Sequence, residues 1–115
     1  VERDAQAAQA LRANLARLKL MSAVVTTAEA ATFLRGPAQP CDLVFLDPPF
    51  ALDLWAPLAA QLEAGGWLAA QALIYVESPR AGVAGLPAHW SVHREAQAGE
   101  VRFALYRRSL PSRQR

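Results

Sequence analysis

The chain has 115 residues, 53% of them hydrophobic and 19% charged, with 6 Gly and 8 Pro. That length holds one domain or part of one, and the composition excludes disorder and collagen-like repeats. The net charge of +2 is mildly basic, and the single cysteine, Cys41, excludes an internal disulfide and a multi-cysteine metal site.

Asp4 is a good N-cap, because its carboxylate can accept a free amide of the next turn. Ala8, Leu11, Leu15 and Leu18 follow at helical spacing, with Arg12 and Arg17 pointing away. An amphipathic helix is expected over residues 5–20. Ala23 to Thr26 reads as a short strand. Thr26 and Glu29 have the spacing of a capping box, and a short helix burying Phe33 and Leu34 should stop at Gly36-Pro37. Asp42 to Leu46 is short and almost uniformly apolar, as a strand buried on both faces of a parallel sheet would be. Leu54, Trp55, Leu58, Ala59 and Leu62 form another helical face, closed by Gly65-Gly66. Ala72 to Glu77 is a second strand of the buried type, followed by a loop from Ser78 to Pro87. Trp90–Arg94 and Val101–Tyr106 alternate, and Gln97-Ala98-Gly99 should join them as an antiparallel hairpin. Trp55, Trp67 and Trp90 read as core. The order predicts an α/β fold with a mainly parallel sheet and a C-terminal antiparallel hairpin.

The chemistry concentrates at Asp47-Pro48-Pro49-Phe50. Ligands of an open parallel sheet sit at the carboxyl ends of its strands, and Asp47 leaves a strand there. Each proline fixes its own φ and restricts the residue before it, so the corner is stiff. It lacks two amide donors and presents acceptors: the Asp47 carboxylate and the proline carbonyls. Phe50 adds an aromatic plane. A planar base with an exocyclic amine needs acceptors for two N–H bonds and a face to stack on. Such a grip turns the nitrogen lone pair toward an electrophile, which is catalysis by alignment with electrostatic help.

These four residues resemble the (Asp/Asn)-Pro-Pro-(Tyr/Phe) motif of S-adenosylmethionine-dependent amino-group methyltransferases. Further stretches are similar to one family, the bacterial RsmD-type 16S rRNA guanine-N2 methyltransferases. They are Val1–Asp4, Cys41–Phe50, Gly66-Trp67-Leu68, Ala72–Ser78 and Trp90–Glu95. The resemblance implies a Rossmann-like class I methyltransferase fold and S-adenosylmethionine as cofactor. It assigns Asp47, Pro48, Pro49 and Phe50 to the reacting amine. It assigns Glu2 to the cofactor's ribose hydroxyls, with Arg3 beside it in the same set, and Glu29 to the neighbourhood of the adenine amine. The capping box accounts for Glu29 equally well.

The family's Gly-rich loop, whose glycines let the backbone approach the cofactor, has no counterpart in these residues. Residues 1–110 are therefore expected to be the C-terminal portion of a methyltransferase catalytic domain, inactive alone, with 111–115 a flexible tail. The partner implied is 16S rRNA or a small-subunit assembly particle. Strand edges left uncovered would favour self-pairing. The longest uncharged stretch is 13 residues, too short to span a bilayer. Val1-Glu2-Arg3-Asp4 is not a secretory leader, so the cytoplasm is the expected compartment. Two other readings stay open: an amino methyltransferase on adenine or cytosine in DNA or other RNA, and an inactive binding or assembly module. Six of the twelve basic residues lie beyond position 90. Of these, Arg102, Arg107, Arg108, Arg113 and Arg115 could touch phosphates. His89 and His93 are four apart on a predicted strand, so no metal site is expected.

Overall fold

A computed structural model describes residues 1–109. The expected tail at 111–115 lies outside the described residues. The chain forms two compact units, Val1–Pro37 and a second beginning at Ala38.

In the first unit, helix α1 spans Ala5–Arg17. The Asp4 carboxylate accepts the Gln6 amide at 3.1 Å, as the cap expectation requires. The helix ends three residues before the predicted boundary. Leu18 closes it, and Lys19 turns left-handed with φ of 57°. Ala8 is buried, whereas Leu11 and Leu18 stay exposed. Arg12 does not simply point away: it donates to the Val25 carbonyl at 3.1 Å and to Thr27 Oγ1 at 2.8 Å. Residues 23–26 form no strand. A strand needs a paired neighbour, and here only Glu2 offers one, in an isolated parallel bridge to Thr27. The Glu2 amide donates to the Thr26 carbonyl and the Ala28 amide to the Glu2 carbonyl, both at 3.0 Å. The capping box does not form either. Helix α2 begins later, at Ala30–Phe33, with Glu29 as N-cap and no side-chain capping bond. Phe33 and Leu34 are half-buried.

The second unit is a four-stranded sheet in the order β1-β2-β4-β3: β1 Cys41–Leu46, β2 Leu68–Pro79, β3 Trp90–Ala98 and β4 Val101–Arg108. β1 and β2 pair in parallel, as expected, and the other two pairings are antiparallel. β2 outruns its prediction at both ends: Leu68 pairs with Cys41 of β1, and β4 pairs with the strand as far as Pro79. The hairpin turn is Gly99-Glu100, not Gln97–Gly99, since Ala98 already pairs with Val101. Gly99 has φ of 59° and Glu100 is not left-handed, the type II′ pattern suited to strand twist.

One face of the sheet carries the core. Ala72, Ile74 and Val76 of β2 and Ala104 and Tyr106 of β4 are buried, with Leu46 and Trp90. Helix α3, Trp55–Ala64, supplies Trp55, Leu58, Ala59 and Leu62 to it. Each large apolar side chain removed from water this way contributes about 1.5–3 kcal/mol. Pro57 sits in the first turn of α3, where no amide partner is lost. The helix stops at Gly65, and Gly66, with φ of 80°, lets the Trp67 amide reach back to the Leu62 carbonyl. All three tryptophans are buried, as the sequence suggests.

The other face is only half covered. Tyr75 lies between Phe45, at 5.5 Å between ring centroids, and Phe103, at 6.3 Å. β1 is an edge strand, and it is not buried on both faces: Phe45 is 69% exposed and Leu43 48%. An open groove of about 600 Å³ lies over this face, lined by Tyr75, Arg94, Glu95, Ala96, Phe103 and Leu105.

Candidate active site

Asp47 follows the last residue of β1, at the carboxyl end of a strand that runs parallel to β2. It is exposed, Pro48 is buried beneath it, and Pro49 is exposed again. Pro49 has φ of −57° and ψ of 129°, the extended geometry a proline favours. Phe50 opens a short 3-10 turn, Phe50–Leu52, closed by Asp53 in a left-handed conformation (φ 49°, ψ 54°). The Leu52 amide donates to the Pro49 carbonyl at 3.1 Å. Pro49 therefore spends part of its acceptor capacity inside the turn, and its chief contribution is stiffness.

Phe50 is 39% exposed and packs its other side on Trp55, with centroids 5.4 Å apart and planes tilted by 57°. The Trp55 indole is itself fixed: Nε1 donates to the Glu77 carbonyl at 3.0 Å. The aromatic plane of the corner thus rests on a buried ring anchored to the end of β2.

Glu77 also meets the corner through its side chain. Leu46 pairs with Val76, so the next residues, Asp47 and Glu77, leave adjacent parallel strands together. Register therefore sets their side chains next to one another on one face of the sheet. Burial pushes the Glu77 carboxyl above its usual range, and the neighbouring Asp47 carboxylate pushes it further. Sequence reasoning gave Glu77 no role. The signal was there: an acidic residue ends an apolar strand just as Asp47 ends the other.

Glu2, Arg3 and Glu29 belong to the first unit. Glu2 is half-buried, and its Oε2 accepts the Asp4 amide at 3.0 Å, which orients the carboxylate. The bridge to Thr27 sets Glu2 beside the segment that ends in Glu29, so those two are brought to one neighbourhood. Arg3 and Glu29 are exposed. Two arginines considered for phosphate are otherwise engaged. Arg102 donates to Glu95 at 3.1 Å and to the Tyr106 hydroxyl at 3.3 Å. Arg108 is buried against Glu63. Arg107 is exposed, while Arg113 and Arg115 lie outside the described residues.

A stiff, acceptor-bearing corner at the carboxyl edge of parallel strands, in a mixed sheet closed by a hairpin, matches part of a Rossmann-like methyltransferase fold. Residues 1–107 match the family model described as conserved hypothetical protein 95, and the chain belongs to that family. Ribosomal RNA small subunit methyltransferase D of Escherichia coli (strain K12) is 45% identical over 109 residues, 94% of this chain and 55% of that protein. The protein of the same name from Haemophilus influenzae is 37% identical over 110 residues, 92% of this chain and 57% of that protein. The solved structure of yhhF from Escherichia coli superposes with a TM-score of 0.86 at 44% identity, covering 96% of this chain and 61% of that one. The RsmD-type resemblance read from the sequence thus agrees with the names its relatives carry. The chain spans about half the length of these curated relatives.

Proposed function

We propose that this chain carries the amine-gripping portion of an S-adenosylmethionine-dependent methyltransferase acting on guanine N2 in small-subunit ribosomal RNA. The observation that carries this reading is the exposed Asp47 and Phe50 at the strand edge, with Trp55 packed behind Phe50 and Glu77 emerging beside Asp47. The Asp47 carboxylate and the Pro48 carbonyl accept the two N–H bonds of the exocyclic amine. Phe50 stacks on the purine. The lone pair is thereby aimed out of the ring plane, and the acceptors stabilise the positive charge that develops on nitrogen. Asp47 then takes the surplus proton and releases it to water.

The cofactor reading uses the first unit. The oriented Glu2 carboxylate suits a pair of ribose hydroxyl donors, as acidic residues do in dinucleotide folds. Arg3 and Glu29 would flank the rest of the nucleoside. When bound, S-adenosylmethionine supplies a methyl group made electrophilic by a positively charged sulfur. The target guanine must be splayed from its stack to reach the corner. A ribosomal substrate implies the bacterial cytoplasm. Among the described residues, no helix is long and apolar enough to cross a membrane. Residues 1–110 are, on this reading, the C-terminal portion of the catalytic domain.

The test is transfer of labelled methyl groups by the protein that carries this chain, followed by nucleoside analysis. Label in N2-methylguanine of 16S rRNA is the expected result. Label in adenine or cytosine would replace the substrate assignment. No transfer to any exocyclic amine, in protein that binds the cofactor by calorimetry, would leave a binding module.

A further inference from the structure

We propose that Glu77 is a positioning residue for the corner: its carboxyl donates a hydrogen bond to the Asp47 carboxylate, and its backbone carbonyl holds the Trp55 indole behind Phe50. This rests on the reading of Asp47 and Phe50 given above. Asp47 and Phe50 are the two ends of the corner, and a single residue of the neighbouring strand reaches both. The side-chain link follows from register, because Leu46 and Val76 are partners and their successors emerge side by side. The backbone link is the 3.0 Å bond from Trp55, whose ring lies 5.4 Å from that of Phe50.

Two carboxylates set side by side by strand register repel when both are ionised, which favours a proton held between them. The cations near in sequence register are occupied elsewhere. Arg102 is bound to Glu95 and Tyr106, and Arg80 donates to the Gly99 carbonyl. Burial and the Asp47 charge both favour the neutral form of Glu77. In that neutral form Glu77 is the donor and Asp47 the acceptor. A carboxylate that receives one fixed hydrogen bond has a fixed plane, which leaves its remaining lone pairs aimed at the amine. A neutral Glu77 also avoids a second negative charge beside the proton that Asp47 must later release.

Glutamine keeps the shape and an N–H donor but cannot ionise; alanine removes both. In the protein that carries this chain, Glu77→Ala should lower kcat tenfold or more with little change in KM for RNA. Glu77→Gln should stay within about threefold of the parent. Trp55 fluorescence should be unchanged in both, since the backbone carbonyl is retained. Carboxyl NMR should show Glu77 titrating above the ordinary glutamate range, and returning toward it in Asp47→Asn. Full activity in Glu77→Ala would overturn the proposal. Equal loss in the Gln and Ala variants would also overturn it, by showing that an ionised Glu77 is required. Failure of the underlying reading is separate: it would appear as full activity in Asp47→Ala, whatever the Glu77 variants do.

Discussion

Arg108 grips the Glu63 carboxylate with two prongs, Nε to Oε2 and Nη2 to Oε1, both at 2.8 Å. Trp90 Nε1 donates to the same carboxylate at 2.6 Å, and His89 Nε2 lies 2.9 Å from it. Arg108 also donates to the Ala69 carbonyl at 3.0 Å. This cluster pins the end of α3 to three strands. The Arg108 hydrogen bonds, aided by the one from Trp90 and by the nearby His89 ring, hold the Glu63 carboxyl at about 2, against an ordinary 4.5, despite an opposing burial effect.

The sign of the resulting pH dependence follows from the lowered value. The unfolded chain binds this proton first, so the contribution is complete above about pH 5 and is lost as pH falls from 4.5 toward 2. Its size is on the order of 2 kcal/mol after allowance for solvent screening. Urea denaturation between pH 6 and pH 2 should show stability falling through that window. Glu63→Gln should be less stable at pH 7 and should lose most of that acid dependence. An unchanged slope in the variant would remove Glu63 as its source.

Asp47→Ala should abolish methyl transfer and leave cofactor affinity within about twofold, measured by calorimetry. The reason is one of role: Asp47 is assigned to the reacting amine, whereas the cofactor is assigned to Glu2, Arg3 and Glu29. Unchanged turnover would take Asp47 out of the mechanism.

Phe50 has one face on Trp55 and is 39% exposed. Stacking of a base on an aromatic ring is worth about 1–3 kcal/mol. Phe50→Ala should therefore raise the KM for RNA by roughly fivefold to 150-fold. Phe50→Tyr should be tolerated, because the ring is kept. Equal KM values for the Ala variant and the parent would exclude stacking.

β1 is a sheet edge whose Phe45 and Leu43 are exposed, a combination that promotes strand pairing. The 115-residue chain is expected to associate through this edge, two copies at a time, as concentration rises. Phe45→Lys should shift it toward monomer in sedimentation experiments without loss of circular dichroism. A well-folded parent that stays monomeric at high concentration would contradict this.

What could be read from the sequence was local. The apolar runs of β1 and β2, the apolar face of α3 and the alternation of β3 and β4 each follow from periodicity within a few residues. Asp47-Pro48-Pro49-Phe50 was legible for the same reason, since its stiffness is a property of adjacent residues. Features that depend on a distant partner were not. Ala23–Thr26 has strand composition, yet pairing is limited to the contact of Glu2 with Thr27. Burial of β1 on both faces was inferred from composition, but neighbours decide burial. Glu63 and Arg108 are 45 positions apart, and no spacing rule links them. Glu77 finds Asp47 only through strand register.

The two successive prolines have a final consequence for how a polyanion could approach. Neither Pro48 nor Pro49 has an amide hydrogen, and the side chain beside them is a carboxylate. A phosphate brought to this spot meets oxygen facing oxygen. The corner thus discriminates by repulsion as well as by grip: sugar–phosphate is turned away and only an amino-bearing edge is welcome. On the proposed function, a nucleic-acid substrate would be fastened by cations elsewhere and would present its base tip first.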